Sequence, residues 1–171
     1  LDFKSQAFYN NFNTNTHNKF LINDFLWNSK NFLSKGGFVN TAEIQVKNTN
    51  YESENDTSLK SAGSINEVAG VLAFRSILPM IKESLNYSNI FSPKAMLRFA
   101  PGHMKNLSTN EAQLSYSNLF STDKAQETGV IESGTSAILG FDISINEKRE
   151  DENNYEKFSL SLGQTFSLEN N

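Results

Sequence analysis

An all-β fold is predicted for this chain: an antiparallel up-and-down meander of about seven long strands, an open curved section of a large transmembrane β-barrel. Three observations predict it. Apolar and polar residues alternate with a period of two, which puts successive side chains on opposite faces of a sheet. The alternating runs exceed the ~5–6 residues of an ordinary soluble strand and match the ~9–11 needed to cross a hydrocarbon layer at a tilt. The connections are long at one end of the strands and shorter at the other, as in outer-membrane barrels.

The alternation is clearest over residues 130–168, which read as one long hairpin. On its first arm Ile131, Thr135, Ala137, Leu139, Phe141, Ile143 and Ile145 share a face. Glu132, Gly134, Ser136, Gly140, Asp142, Ser144 and Asn146 share the other, with Ile138 the one strong exception. On the second arm Phe158, Leu160, Leu162, Phe166 and Leu168 alternate with Lys157, Ser159, Ser161, Gly163, Thr165 and Ser167. Residues 147–155, charged and Asn-rich, suit a solvated turn.

From the start of the chain, residues 1–9 read as a strand and 10–18 as an Asn-rich loop. Residues 19–28 form the next strand, apolar on both faces and interrupted at Asn23 and Asp24, so its register is ambiguous. A short turn at 29–31 and Gly36-Gly37 lead to a clean strand, with Phe38, Asn40, Ala42, Ile44 and Val46 opposing Val39, Thr41, Glu43, Gln45 and Lys47. Residues 48–64 read as a long polar loop. In the strand at 65–78, Val68, Leu72, Phe74 and Leu78 would face lipid, and Glu67 and Arg75 the interior. Pro79, lacking a ladder donor, ends it. A polar connection over 80–89 leads to a fifth strand, Phe91, Pro93, Ala95, Leu97 and Phe99 opposing Ser92, Lys94, Met96, Arg98 and Ala100. Pro101 and Gly102 open the longest loop, running to about Gly129.

Composition excludes several classes. No run of ~18 apolar residues exists, so a helical membrane span is ruled out. Mean hydropathy of −0.47 and 37% hydrophobic residues look soluble, but in a barrel only every second strand residue meets lipid. A net charge of −4 without a basic stripe argues against nucleic acid. The absence of Cys removes disulfides, Cys-zinc sites and thiol catalysis. A first residue other than Met, no charged-then-apolar leader, and a last residue just after a strong strand predict a piece of a longer protein. Residues 1–171 would then be part of one barrel domain, with no complete domain boundary inside.

No residue set builds a catalytic constellation, and no cofactor site is expected. His17 and His103 lie in predicted loops with no third ligand placed by spacing, so solvated histidines are the favoured reading. Glu52, Glu54 and Asp56 could offer oxygens to calcium but lack the spacing of a calcium loop, and a solvated loop is favoured. No nucleophile elbow, phosphate-binding loop or dinucleotide glycine pattern appears. The candidate lumen-facing residues are Glu43, Lys47, Glu67, Arg75, Lys94, Arg98, Glu132, Asp142 and Lys157, opposite the apolar rows. One solvated face of a soluble sheet would show the same.

An ordered set of short motifs then stands out: Ser92-Pro93-Lys94-Ala95 leading to Phe99-Ala100-Pro101, Tyr116-Ser117-Asn118-Leu119-Phe120, Glu132-Ser133-Gly134-Thr135-Ser136 with Gly140, and Ser161-Leu162-Gly163-Gln164-Thr165-Phe166. In these the chain from Phe91 onward resembles the barrel domain of the lipopolysaccharide-assembly protein family, also called the organic-solvent-tolerance protein. That family supplies the D subunit of the Lpt lipopolysaccharide transport complex. The first ninety residues match more loosely, through Asp24-Phe25-Leu26-Trp27 and Leu78-Pro79. The resemblance implies a Gram-negative outer-membrane translocon without catalytic residues, which inserts lipopolysaccharide into the outer leaflet. It also implies a lipoprotein plug in the lumen and a periplasmic bridge that delivers the lipid. The family's jelly-roll domain, paired cysteines and lateral gate lie outside this stretch.

Strand statistics alone are met equally by a general porin or channel barrel. A secreted β-sandwich binding module would show shorter strands and Greek-key connections. Two unpaired edges predict that the isolated chain aggregates without detergent.

Overall fold

The computed structural model describes residues 1–12, 15–55, 63–104, 114–124, 129–148 and 155–168. Seven strands of 11–16 residues dominate: β1 (Asp2–Phe12), β2 (Thr16–Asn28), β4 (Val39–Glu54), β5 (Gly63–Ile77), β7 (Tyr87–Ala100), β8 (Gly134–Glu147) and β9 (Tyr155–Ser167). Two short strands, β3 (Phe32–Leu33) and β6 (Met80–Glu83), and one turn of helix, α1 (Tyr116–Leu119), complete the set. All strands join one antiparallel sheet in the order β1-β2-β4-β5-β7-β8-β9, with β3 on β4 and β6 on β7. The meander is open, since β1 and β9 do not pair.

The sheet has a bare face and a covered face. Odd-numbered residues of β7 and β8 and even-numbered residues of β5 point to the bare face. Val68, Leu72, Phe74, Leu97, Phe99 and Leu139 are all exposed there. Phe158, Leu160, Leu162 and Phe166 extend the row onto β9. The opposite rows are polar yet mostly buried: Glu43, Gln45, Lys47, Thr49, Arg98 and Ser136 are each less than 8% exposed. Burial on that face comes from the described parts of the β7–β8 connection, residues 101–104, 114–124 and 129–133, which pack over it.

Several boundaries differ from those read in the sequence. The first arm of the long hairpin begins at Gly134, not at residue 130. Residues 130–133 belong to the connection packed on the covered face, so Ile131, expected on the apolar row, is 1% exposed there and Glu132 is not on the strand. Residues 48–54 are strand, not loop, and β4 pairs along its length with β2 and β5. There the side chains on both faces are mostly polar, so the period of two loses its apolar contrast. Likewise β1 reaches Phe12 and β2 begins at Thr16, which puts His17 on a strand opposite Asn11.

Pro79 does interrupt its strand, as expected, but residues 80–83 and 87–89, read as a polar connection, are strand. Leu72↔Phe99 through Ile77↔Lys94, and Met80↔Phe91 through Glu83↔Ser88, keep one register against β7. Between them the Leu78 N–H donates to the Pro93 carbonyl at 3.0 Å. Pro79 removes one ladder donor and no more. The hairpin closes beyond β6, where the Ser84 N–H donates to the Tyr87 carbonyl at 2.8 Å.

The register of β2 is also settled. Asn23 lies on the bare face, bonded to Ser5 and Asn48, and Asp24 on the covered face, bonded to Gln45. Asp56 lies outside the described residues.

Candidate functional site

The site is the covered face together with the chain between β7 and β8. Gly102 passes so close to β5 that a Cβ on it would lie 3.2 Å from the Ala69 Cβ. Met104, Val130 and Ile131 pack there with Ala69, Val71 and Ala100 as one buried cluster. A second cluster joins Ala73, Met96, Leu119 and Ile138, with Tyr116 and Phe120 against it. Ile138, the exception to the alternation of β8, is fully buried in that cluster. An apolar residue on a polar row is the seat for something that docks.

The docking piece is α1. Ser115 starts it, its backbone N–H donating to Asn118 Oδ1 at 2.8 Å, which satisfies a first-turn donor locally. Its aromatic and aliphatic side chains rest on Gly140 and Gly163, which face each other across β8 and β9. A Cβ at Gly163 would lie 2.4 Å from Leu119 Cδ2, and one at Gly140 would lie 2.8 Å from Phe120 Cζ. Neither glycine is needed for its backbone angles. The pair leaves a bare saddle that the helix fills.

Polar groups fix the helix edge. Lys94 Nζ lies 4.9 Å from the ring centres of both Tyr116 and Phe120 and 2.5 Å from Asp142 Oδ2. Asp142 also accepts from the Tyr116 hydroxyl and, at 2.7 Å, from the Ser161 hydroxyl. Replacing Tyr116 by Phe keeps the ring and the Lys94 contact and removes one hydrogen bond to a charged acceptor. The expected cost of docking is ~1.5–3 kcal/mol, read as faster protease cleavage at residues 114–124 of the intact protein; an unchanged rate would contradict this.

Beyond the helix, the wall reads the segment through its main chain. Arg75 donates to the Phe120 carbonyl at 2.9 Å, and Arg98 to those of Thr122 at 2.7 Å and Glu132 at 2.5 Å. Thr49 donates to the Gly129 carbonyl at 2.7 Å and Lys47 to that of Val130 at 3.2 Å. A segment without secondary structure must find partners for its buried carbonyls, and these donors supply them. The cations are balanced in turn. Arg75 sits 2.7 Å from Glu43, which accepts from the Thr122 hydroxyl, and Lys47 sits 2.7 Å from Asp123 and 3.7 Å from Asp24. Lys124, 3.5 Å from Glu132, has its ammonium held below its ordinary value by burial, with that carboxylate opposing the shift.

Most of the charged residues singled out in the sequence therefore meet at this docking: Glu43, Lys47, Arg75, Lys94, Arg98 and Asp142 from the wall, and Glu132 from the connection itself, through its carbonyl and its carboxylate. Glu67 lies on the covered row of β5. Lys157 goes elsewhere. The register shift between Ile145 and Asn146 turns it toward Glu147, 3.1 Å away, and over the Tyr87 ring. Of the motif positions, Lys94, Asn118, Leu119, Phe120, Gly140 and Gly163 converge on α1. Pro93 closes the β5–β7 ladder, Pro101 and Gly134 mark the strand ends flanking the segment, and Gln164 lies opposite Leu139 on the bare row. The sequence reading missed the covered-face apolar residues Ala69, Val71 and Ala73, whose signal was a stretch of β5 apolar on both faces; Met96 of β7 lies on the row expected for it.

His17 pairs with Glu52 and Glu54 on the bare face, and His103 is exposed. Among the described residues no cluster of His, Asp or Glu is placed to hold a metal ion, and no helix is long and apolar enough to cross a membrane. No curated protein matches the chain. The model of the LptD family, described as LPS transport system D, matches residues 1–171. The strand meander, the ordered motifs and that full-length match agree: the chain belongs to the LptD family, whose members serve LPS transport and assembly at the Gram-negative outer membrane.

Proposed function

We propose that residues 1–171 form a section of barrel wall in the translocon that inserts lipopolysaccharide into the outer leaflet. In this reading the bare face meets acyl chains and the covered face lines the lumen. The β7–β8 segment lies inside the lumen, which also receives the lipoprotein plug. Lipid arrives from a periplasmic bridge that contacts other parts of the protein. The chain contributes positioning and shielding and no catalytic group.

One observation carries the reading: large aliphatic side chains stand uncovered across adjacent strands, with Val68 62%, Leu97 57% and Leu139 54% exposed. A water-soluble protein rarely leaves so continuous an apolar surface uncovered. The polar face opposite is the buried one, the reverse of a soluble domain. Family membership supplies the substrate.

The test uses the intact protein in phospholipid vesicles, with nitroxide labels at Leu72, Leu97 and Leu139. Collisions with oxygen should exceed those with a water-soluble nickel complex at all three; the opposite order would overturn the reading. In cells, Leu97→Arg should cost ~2–4 kcal/mol if the site is near the bilayer midplane. It should lower both the assembled protein and the lipopolysaccharide reaching the surface.

A further inference from the structure

On β4 the bare-face row changes character partway along. Ala42, Ile44 and Val46 are apolar, and from Asn48 to Glu54 every bare-face residue is polar. A crossing needs ~9–11 residues, and β4 has 16, so the polar part is the excess length. It lies at the end of the strands that also carries the β7–β8 connection. The change is marked by a chain of side-chain hydrogen bonds: Ser5 to Asn23 at 2.8 Å, Asn23 to Asn48 at 3.3 Å, and Asn48 to Asn66 at 3.2 Å. Asn50 adds a bond to Asn48 at 2.8 Å. Past this line lie Lys19, bonded to Glu52 at 3.2 Å, and Glu54 beside His17 at 3.5 Å. A shallow groove of about 350 Å³ runs there, lined on the bare face by Lys19, Leu21, Asn50, Glu52, Ser64 and Asn66, with Leu21 its one exposed aliphatic side chain. Tyr9, paired with Lys19 across β1 and β2, exposes its ring beside it.

From this we infer that the ledge beyond the asparagine line is a contact surface for the sugars of the surrounding outer-leaflet glycolipid. The inference rests on the proposed bilayer placement of the bare face, with the long-connection end outward. A lipid whose chains lie on Val46 and Val68 then carries its headgroup at the height of the ledge. The ledge chemistry selects among headgroups. Its ammonium is already paired with a carboxylate, which disfavours a bare phosphate. Besides Leu21, amides, carboxylates and a phenol remain; the polar groups exchange hydrogen bonds with hydroxyl groups, and the Tyr9 ring and Leu21 suit the apolar face of a sugar.

The test labels the intact protein with nitroxide at Glu52→Cys, at Asn66→Cys and, as a reference, at Val46→Cys. Three vesicles are compared: phosphatidylglycerol with phosphatidylethanolamine, the same lipids with lipid A, and the same lipids with a glycolipid carrying core sugars. The expected result is a loss of nickel-complex collisions at both ledge labels only with the sugar-bearing lipid, reversed by Asn50→Leu. Equal shielding by lipid A or by phosphatidylglycerol, or shielding by none, would overturn the inference. The Val46 label separates the two readings. Oxygen-dominated collisions there in all three vesicles leave the wall assignment standing whatever the ledge does, and nickel-dominated collisions sink the wall assignment itself.

Discussion

Alanine at Gly140 is expected to release α1 from the wall. The new Cβ would lie 2.5 Å from the Leu162 carbonyl oxygen, 2.8 Å from Phe120 Cζ and 3.0 Å from the Gly163 Cα. Two of these neighbours are backbone of the adjacent strand and cannot step aside without breaking the β8–β9 ladder. Turning the aromatic ring away relieves only the Phe120 contact, so the β8–β9 ladder must also give at Gly140 and α1 loses its seat. Overpacking a fitted contact costs about 1–3 kcal/mol, and this site belongs at the upper end because the rigid partner is main chain. The segment holding Tyr116 and Phe120 should become cleavable in the intact protein, with the β8–β9 ladder loosened locally around Gly140. Gly70→Ala is the control, since its Cβ would meet nothing nearer than the Gln45 carbonyl at an ordinary 3.6 Å. Equal protease resistance in Gly140→Ala and Gly70→Ala would remove the saddle from the account.

A larger loss is expected from Arg98→Met. Arg98 is 1% exposed and spends its guanidinium on the carbonyls of Thr122 and Glu132. Methionine fills much of the same volume, so the change isolates the hydrogen bonds from the packing. Bonds from a charged donor contribute ~1.5–3 kcal/mol each, and both acceptors lose their partner together. The docked segment should lose about 3–5 kcal/mol, comparable to breaking a buried ion pair. Arg98→Lys should recover at most part of this, since an ammonium lacks the fixed fork that spans two acceptors. Urea titration of the intact protein, followed by a fluorophore on residue 122, reads the loss. A midpoint shared by Arg98→Met and the parent would show that the segment is held without this residue.

Both expectations concern the segment between β7 and β8, where sequence and structure part company. The wall itself was legible. Leu72, Phe74, Leu97, Phe99 and Leu139 were assigned to one face and Glu43, Arg75, Lys94 and Arg98 to the other by alternation alone, because in a strand the side-chain direction is fixed by parity. Where parity lost its contrast, at residues 48–54 and on β2, the boundary or the register was lost with it. The break assigned to Pro79 is there, but pairing resumes in the same register at Met80. Proline removes a donor, but the neighbouring pairs hold a strand in register when they continue on both sides.

What the sequence determined by itself is therefore the number and direction of the strands, their faces and the ends at which the long connections lie. All of that follows from local geometry repeated every two residues. Only the tertiary structure decided where the longest connection goes. Its contacts join residues far apart, Lys47 with Asp123 and Glu43 with Thr122. Most of them run to backbone carbonyls, which every residue possesses and which leave no mark in the order of amino acids.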